Sequence, residues 1–341
     1  MKPSNQNPSR RKFLIQSTLI PAGILAARLA RPQPASGQTT SKPAVAPPPA
    51  EAGLPQGKLG SLKVSRLILG ANLISGWGHY RDLLFVGNLA QAYNTKAKVM
   101  DTLALAEAKG INTIMLNYRQ LDIISRYRQE RGGAIQTIVG VEPEADAAKA
   151  EAHVQSILDQ GVSAAYIDGV YGDKFVRDGS LESISRILQQ IRQSGRPAGV
   201  GAHSLQVPKT CENRGLNPDF YVKSFHHDRY WSATPKAERR DYCWYDQWSE
   251  DHSRFHDNIW CLEPEETSAF MEEVEKPWIA FKVLAAGAIA PRSGFQYAFE
   301  HGADFIAVGM YDFEIGEDVA VADEAIRSAR NRTRAWHGPA T

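Results

Sequence analysis

Two lysines and two histidines lie within or at the end of apolar segments, where ionisable side chains are uncommon. Lys223 lies in PDFYVKSF and Lys282 in WIAFKVLAAGAI, while His203 and His227 end two apolar runs. Lysines are rarely buried unless they are paired. Two lysines inside one folded domain are therefore less easily explained as purely structural residues than a single histidine would be. The pattern makes Lys223 and Lys282 candidate functional residues.

A divalent metal site is an alternative use of the same residues. Glu142, His203 and His227 come from three different apolar segments and have side chains of the type that binds divalent metals. Such a metal would polarise a hydroxyl or carbonyl group of the substrate and leave a lysine as the base. Ligands drawn from separate strands leave no compact motif, so the linear spacing leaves both mechanisms open.

The elements that must position these residues alternate between strands and helices. Apolar runs with strand character recur along the chain, and amphipathic helical patterns such as 95–109 and 181–194 separate several of them. This alternation predicts an α/β fold with a parallel sheet, and eight strands in one domain favour a closed (β/α)8 TIM barrel. The eight predicted strands are 66–72, 112–117, 135–142, 164–171, 196–203, 219–227, 278–284 and 305–310.

Strand parity predicts which side chains face the barrel interior, because successive side chains point to opposite faces. In 219–227, Phe220 and Val222 suit the helix-covered face, which places Lys223 and His227 inside. In 278–284 the apolar parity includes Ile279, and Lys282 falls on the other one. The full predicted interior set is Asn72, Asn117, Glu142, His203, Lys223, His227 and Lys282, with Asp168 less clearly assigned.

Long excursions follow the first strand (76–95) and the sixth (229–260), on the face where barrel enzymes bind substrate. The second contains Trp231 and Trp244, whose rings could stack on a sugar or simply pack the loop. We predict that Asn72, Asn117, Trp231 and Trp244 contact substrate. Gly287 and Gly309 follow or end the last two strands, where many barrels bind a phosphate or a cofactor.

Residues 62–204 resemble an aldo/keto reductase. LKVSRLILGAN, AEAKGINTIMLN, AAYIDGVY and GRPAGVGAHS stand where that family has barrel strands. The resemblance implies a barrel and NADP-dependent hydride transfer. The catalytic Asp, Tyr, Lys and His of the family would fall at Met115, Gln120, Ile138 and Asp173, so all four are replaced.

Residues 218–313 resemble Schiff-base aldolases of the deoxyribose-phosphate aldolase type. PDFYVKSF and WIAFKVLAAGAI are similar to the sixth and seventh strands of those barrels. The resemblance implies that Lys223 forms the Schiff base and that Lys282 lowers its pKa.

The N-terminal residues read as an export signal. Ser9-Arg10-Arg11-Lys12-Phe13-Leu14, followed by a moderately apolar stretch, resembles a twin-arginine (Tat) signal. Residues 1–31 are therefore the predicted signal peptide, 32–57 a disordered Pro/Ala-rich linker and 58–341 a single barrel domain. We expect the protein to contact the Tat translocase only during export and then to be periplasmic or secreted. We expect no stable membrane anchor.

Charge and cysteine content limit the remaining possibilities. Residues 58–341 hold 32 basic and 37 acidic side chains, a formal net charge of −5, which disfavours nucleic-acid binding. Three cysteines, Cys211, Cys243 and Cys261, are too few for a disulfide scaffold, and their spacing fits no zinc motif.

The sequence as a whole predicts an exported TIM-barrel enzyme. Its substrate would be a small polar, carbohydrate-derived molecule, and its chemistry that of a lyase or isomerase assisted by lysine, a divalent metal or both. An NADP-dependent oxidoreductase and a non-catalytic sugar-binding barrel are the alternatives.

Overall fold

The computed structural model describes residues 53–76, 78–80, 83–242, 261–329 and 331–338. The predicted signal peptide, most of the linker, Cys243 and Trp244 lie outside these ranges. The chain first forms an antiparallel hairpin of β1 (Gln56–Leu59) and β2 (Leu62–Ser65). The predicted boundary between linker and barrel, at residue 58, therefore falls inside β1.

Eight parallel strands follow and close into a barrel, in which the last strand pairs with the first. The predicted TIM barrel is confirmed, and each of the eight predicted strands is present with shorter ends. They are β3 (Leu67–Gly70), β4 (Thr113–Asn117), β5 (Gln136–Val141), β6 (Ala164–Ile167), β7 (Ala198–Ala202), β8 (Phe220–Ser224), β9 (Trp278–Phe281) and β10 (Phe305–Gly309).

Helices cover the outside of the barrel. In the described part of the chain none of them has the length and apolar character needed to cross a bilayer. They are α1 (Leu84–Tyr93), α2 (Lys96–Ala108), α3 (Leu121–Arg131), α4 (Ala147–Leu158), α5 (Gly169–Arg177), α6 (Leu181–Gln193), α7 (Gln206–Arg214), α8 (Pro264–Glu273), α9 (Pro291–Glu300) and α10 (Asp312–Ser328).

Helix α2 shows how the sequence sets these boundaries. The Thr95 side chain accepts a hydrogen bond from the Lys98 backbone N–H and caps the first turn. Val99, Leu103 and Ala106 then form the buried stripe at helical spacing. The helix ends before Gly110, whose φ of +88° lies in the left-handed region that glycine adopts without strain.

The core has two layers, one inside the barrel and one between the barrel and its helices. Ile68, Ile138 and Ile279 pack inside, together with Leu59 and Val64 of the hairpin. Since the hairpin precedes the first barrel strand, it covers the end at which the strands begin. Barrels of this class have their binding sites at the opposite, C-terminal end.

Parity is confirmed on some strands and wrong on others. Val139 and Val200 pack in the outer layer, as predicted, which places Glu142 and His203 on the interior parity. On β8 the prediction is wrong, because Phe220 and Val222 pack inside and Tyr221 packs outside. Both faces of a buried parallel strand are apolar, so alternation there does not distinguish the two layers.

The parity predicted for β9 is also wrong, but the backbone conformation after the strand changes where Lys282 lies. Ile279 and Phe281 face the interior, whereas Trp278, Ala280 and Val283 pack in the outer layer. Simple alternation from Phe281 would send Lys282 outward. The strand ends at Phe281, however, and the next residue leaves the extended conformation.

Asp318 of α10 provides a test of stability. Its side chain is only 5% exposed, and burial, followed by the charges of Glu314 and Glu317, raises its pKa from 3.8 to about 7. Because the unfolded chain releases this proton at lower pH than the folded protein does, stability should fall between about pH 4 and 7, by at most about 1.4 kcal/mol per pH unit. Asp318→Asn should remove this decline, and urea unfolding at pH 4.5 and 8 measures it. Equal pH dependence in both proteins would contradict the prediction.

Candidate active site at the C-terminal mouth of the barrel

Lys282 lies directly after β9, at the mouth of the barrel. Its φ of +59° is in the left-handed region, which side chains with a Cβ rarely adopt. This turn brings its Nζ to 2.6 Å from Nε2 of His79, which belongs to the loop after β3. The Nζ also lies 5.6 Å from the centre of the Phe281 ring. The backbone conformation, and not strand alternation, places the amine at the mouth.

The pKa of the Lys282 amine is lowered toward neutral pH. Burial lowers its pKa from 10.5 to about 7, and the negative charge of Asp168 opposes part of this change. At physiological pH a substantial fraction of Lys282 is therefore the free amine. A lysine in this state can act as a nucleophile toward a carbonyl group or as a general base.

His79 is held beside this amine as a neutral imidazole. The surrounding protein, and then the charges of Lys282 and His203, lower its pKa well below the ordinary value. A neutral imidazole can accept a hydrogen bond from a protonated Lys282 or donate one to the free amine. His79 can therefore form a hydrogen bond with Lys282 in either protonation state of the lysine.

His203 is positioned by a buried carboxylate. Its Nδ1 lies 2.9 Å from Oδ2 of Asp173, and the same carboxylate accepts hydrogen bonds from the backbone N–H groups of His203 and Ser204. The Asp173 side chain is fully buried. With Nδ1 engaged in this way, Nε2 is the ring nitrogen through which His203 can exchange a proton with a substrate.

Burial, and then the charges of Lys282 and Lys223, lower the pKa of His203 well below 6.5, so the imidazole is neutral at pH 7. Burial raises the pKa of Asp173 to about 7, while the N–H donors of Ser204 and His203 oppose this change. The Phe281 ring lies 5.3 Å from the imidazole. His203 and Lys282 therefore share the Phe281 ring as a neighbour, and the charge of Lys282 acts on the imidazole.

Asp168 completes this side of the site. It caps α5 by accepting a hydrogen bond from Val170 N at 3.0 Å, and burial raises its pKa to about 6. Opposite it lies Gly140, where an added Cβ would stand 3.3 Å from Asp168 Oδ2 and 3.2 Å from the hydroxyl of Tyr166. Glycine at this position leaves room for both polar groups inside the barrel.

A second polar cluster follows β4 and β5. The Asn117 amide donates to Glu142 Oε1, and Arg119 donates to the same oxygen at 2.7 Å and to Asn117 Oδ1 at 3.2 Å. Both Asn117 and Glu142 thus lie together, on the interior parity predicted for them. The charge of Glu142 also contributes to raising the pKa of Asp168, which places this cluster in electrostatic contact with the mouth.

Lys223 does not belong to the site, so its predicted role as the Schiff-base nucleophile is not supported. It is only 1% exposed and donates hydrogen bonds to the backbone oxygens of His203 and Ser224, at 2.7 and 2.8 Å. Its parity is that of the outer-layer residues Tyr221 and Phe225. Lys223 acts as a structural tie between β7 and β8 and fixes the backbone of His203.

His227 is also misassigned to the interior. Its Nε2 lies 3.0 Å from Ser293 Oγ of α9, and its Nδ1 accepts a hydrogen bond from Arg229 N. In a neutral imidazole with Nδ1 as acceptor, Nε2 carries the proton and donates to the serine. This tautomer cannot activate Ser293 as a nucleophile.

The predicted metal site is not formed. In the ranges that the structure describes, no group of three or more His, Cys, Asp or Glu side chains is placed to hold a metal ion. Each predicted ligand contacts different residues. Glu142 accepts hydrogen bonds from Asn117 and Arg119, His203 pairs with Asp173, and His227 pairs with Ser293.

The other predicted binding residues lie at the edge of the site or away from it. Asn72 is exposed in the turn after β3, and Trp231 is 80% exposed. Gly309 ends β10 and packs beside Leu73, whose Cγ lies 3.1 Å from where a Cβ of Gly309 would be. Around the equivalent position of Gly287 there is nothing within 4 Å. Trp244 lies outside the described residues.

Sequence reasoning missed two important groups, His79 and Asp173, and assigned a third, Asp168, to the interior less clearly. His79 lies in a long loop without periodicity, and only its histidine character marks it. Asp173 lies inside α5, whose first three residues fell within the predicted strand 164–171. Asp168 directly before Gly169 was the one visible signal, since a carboxylate before a glycine at the end of an apolar run is a common helix N-cap.

The left-handed backbone conformation of Lys282 predicts that a glycine at this position stabilises the fold at the expense of activity. Lys282→Gly and Lys282→Ala both remove the amine, but only glycine relieves the strained φ. The glycine variant should therefore be more stable than the alanine variant by about 1 kcal/mol, with both inactive. Chemical denaturation of the two variants measures the difference, and a more stable alanine variant would show that Lys282 is not strained.

Comparisons with known proteins support the fold and no more. No family model and no curated protein matches the chain. A solved structure from Pseudomonas aeruginosa, described as an aldo-keto reductase, is similar with a TM-score of 0.53 and 17% identity, over 81% of this chain and 96% of that one.

Two more distant barrels are also similar. A structure from Coccidioides immitis described as a deoxyribose-phosphate aldolase has a TM-score of 0.39 and 10% identity, over 65% of this chain and 79% of that one. A mandelate oxidase has a TM-score of 0.48 and 9% identity, over 83% and 80%. At these levels of similarity, the class established for this chain is the (β/α)8 barrel.

The site itself departs from the aldo/keto reductase pattern. Met115 and Ile138 pack in the barrel interior, and Gln120 accepts a hydrogen bond from the Asn117 backbone. The Asp173 carboxylate hydrogen-bonds to the backbone N–H and the ring Nδ1 of His203. The four positions at which that family would place its catalytic residues therefore have structural roles here.

Proposed function

We propose that this protein is an enzyme that uses the Lys282 amine on the carbonyl group of a small polar, carbohydrate-derived substrate, in lyase or isomerase chemistry. The observation that carries the proposal is the placement of Nζ at the mouth, 2.6 Å from His79, with a pKa of about 7. Asp168 and His203 supply acid–base groups on the opposite side. Two electrostatically coupled titratable groups whose pKa values are moved toward neutrality are typical of a catalytic site.

In the proposed reaction the free amine of Lys282 attacks the substrate carbonyl and forms a carbon–nitrogen bond. The carbonyl oxygen takes up protons and leaves as water, which gives a protonated imine. The positive charge of this imine acidifies the neighbouring C–H bond or weakens the adjacent C–C bond. Water then adds to the imine carbon, and the carbon–nitrogen bond breaks to release product and free Lys282.

The remaining groups have roles that match their surroundings. Asp168, with a pKa of about 6, can accept a proton from the substrate when ionised and return it later. Neutral His203 can exchange a proton through Nε2 while Asp173 fixes its orientation. The Asn117–Glu142–Arg119 cluster provides hydrogen-bonding groups for substrate hydroxyls.

Borohydride trapping tests the proposal. The protein is incubated with glycolaldehyde, glyceraldehyde or dihydroxyacetone, reduced with sodium borohydride, digested and analysed by mass spectrometry. We expect a reduced adduct on the peptide that contains Lys282, and none on the peptide that contains buried Lys223. Adducts spread over exposed lysines, or no adduct with any of the three compounds, would contradict Schiff-base chemistry.

We also propose that the protein is exported by the Tat translocase, on the support of Arg10-Arg11 in the N-terminal sequence. Replacing both arginines with lysine should retain the protein in the cytoplasm, because the translocase recognises the arginine pair. Cell fractionation and immunoblotting measure the change. Unchanged export of the twin-lysine variant would contradict the proposal.

A further inference from the structure

Exposed apolar side chains are concentrated on one surface, formed by α1 and the start of α10. Of the seven large apolar side chains that are exposed in the described part of the chain, four lie here. Phe85, Leu89 and Phe313 are between 65% and 69% exposed, and Tyr93 is 38% exposed. We refer to these four side chains as the α1 patch. An exposed apolar surface of this kind commonly marks an interaction site.

Helical spacing and ring contacts make the patch continuous. Phe85, Leu89 and Tyr93 follow one another at intervals of four residues, so they form a stripe along one side of α1. The Tyr93 ring contacts the Phe313 ring edge-on, with the ring centres 6.1 Å apart. The Tyr93 hydroxyl also donates a hydrogen bond to Asp312 Oδ1 at 2.6 Å. The end of α1 is therefore attached to the start of α10, and the four side chains share one surface.

Helix α1 receives little support from the rest of the chain. Among its described side chains only Ala90 is buried. Leu83, at the N-cap, makes no side-chain capping hydrogen bond, and the helix has no acidic residue in its first turn and no basic residue in its last. A helix of this length is marginally stable in water unless it packs an apolar face. A surface that covers the α1 patch would supply this packing.

The helix and its surroundings carry no net charge. The thirteen residues 83–95, LLFVGNLAQAYNT, include no charged side chain. At the rim, Lys98 and Asp312 pair with each other at 2.9 Å. Helices that lie on a membrane surface have Lys or Arg on their polar face, whereas the polar residues of α1 are the neutral amides Asn88 and Gln91. The composition therefore favours a protein partner over a lipid surface.

A second copy of this chain matches the patch. In a two-fold dimer the same surface lies on both sides of the interface, so an uncharged patch meets itself without repulsion between like charges. Aromatic side chains and few charges are typical of the centre of such interfaces. The four side chains expose on the order of 500 Å², more than half of the about 800 Å² that each partner contributes to a standard interface. Exposed polar residues around them, such as Asn88 and Gln91, can supply the remainder.

We propose that the α1 patch is the interface of a homodimer, in which α1 of one protomer packs against α1 of its partner. Burial of Phe85 and Leu89 in this interface stabilises a helix that the monomer leaves uncovered. His79 belongs to the same excursion after β3, so the interface also steadies the chain that leads to the mouth of the barrel. The interface is independent of the lysine chemistry, because it requires only the exposed face of α1.

Sedimentation velocity of the purified full-length protein, between about 1 and 100 µM, tests the interface. We expect a species of twice the monomer mass that dissociates on dilution. Hydrogen exchange on the same wild-type samples provides a second measurement, which needs no variant. The backbone amides of α1 should exchange at least about tenfold more slowly in the dimer than in the diluted monomer, because the partner covers the helix.

Matched variants locate the interface. Leu89→Asp and Phe85→Asp should each raise the dissociation constant of the dimer at least about 100-fold, because the two-fold axis brings two unpaired carboxylates into an apolar contact. Both side chains are exposed in the monomer, so we expect the circular dichroism of the barrel to be unchanged. Trp231→Asp is the control, since Trp231 is also an exposed aromatic residue but lies in the loop after β8, and it should leave the dimer intact.

A wild-type protein that stays monomeric over this concentration range would overturn the proposal, as would a dimer that persists in both aspartate variants. A monomer that floats with phosphatidylglycerol vesicles would also overturn it, and would assign the α1 patch to a lipid surface instead.

Discussion

Lys282→Met should reduce turnover by at least about 10³-fold and leave the barrel folded. Methionine keeps the length and apolar stem of the side chain but cannot form an imine or exchange a proton. Because Lys282 lies at the mouth and not in the packed layers, we expect stability to change by no more than about 1–2 kcal/mol. Steady-state kinetics on whichever aldehyde or ketone is trapped by borohydride, together with a denaturation curve, measures both effects.

Lys276→Met is the matched control. Lys276 precedes β9, at the other end of the same strand, and its Nζ donates to the Glu212 carboxylate at 2.8 and 2.9 Å. Removing this partly exposed ion pair should cost less than about 1 kcal/mol and leave turnover unchanged. A folded Lys282→Met protein with near wild-type activity would exclude the lysine mechanism.

The pH profile sharpens this prediction. If the free amine is the reactive form, kcat/KM should rise with pH around 7, as Lys282 loses its proton. Asp168 raises the pKa of Lys282 through its charge, so an Asp168→Asn variant should move the rising limb to lower pH and also lower the maximal rate. A limb that moves to higher pH would show that the profile reports a different group.

Asp173→Asn should cost about 10²- to 10⁴-fold in turnover, the range typical of losing a correctly oriented acid–base group. The Asp173 carboxylate accepts hydrogen bonds from three N–H donors around His203. Asparagine offers one oxygen and directs its amide N–H groups at the remaining donors, so that the imidazole loses its preferred tautomer. We expect an additional loss of stability of about 1–3 kcal/mol, because buried donors lose their acceptor.

A readout besides activity separates positioning from simple unfolding. NMR of the His203 ring nitrogens should show the proton on Nδ1 in the wild-type protein and a changed tautomer distribution in Asp173→Asn. The control is Asp178→Asn, which removes an exposed carboxylate that pairs with Arg177 on the surface. Equal activity of Asp173→Asn and wild type, at the same folded fraction, would remove His203 from the mechanism.

The barrel was readable from the sequence because its signals are local and repeated. Apolar runs, helical stripes, and caps such as Thr95 with Gly110 each fix a short segment, and eight of them in alternation admit few arrangements. The positions of Asn117, Glu142 and His203 were also accessible, because each lies at the end of a strand whose outer face is clearly marked by valine or another apolar residue.

The errors concentrate where one face of a strand resembles the other. Phe220 and Val222 fill the barrel interior as well as they would fill the helix layer, so Lys223 was assigned to the wrong side. Beyond the last residue of a strand, parity no longer applies. His227 turns toward α9 for that reason, and Lys282 turns toward the mouth.

The sequence by itself determined the class of fold, the eight strands, and the residue types available for chemistry. Only the tertiary structure decided which of them meet: His79 with Lys282, and Asp173 with His203, are pairs separated by 203 and 30 residues. Periodicity reports the direction of a side chain relative to its own element, and it contains no information about loops or left-handed turns. The candidate site depends on both, since a positive φ at Lys282 and a loop histidine create it.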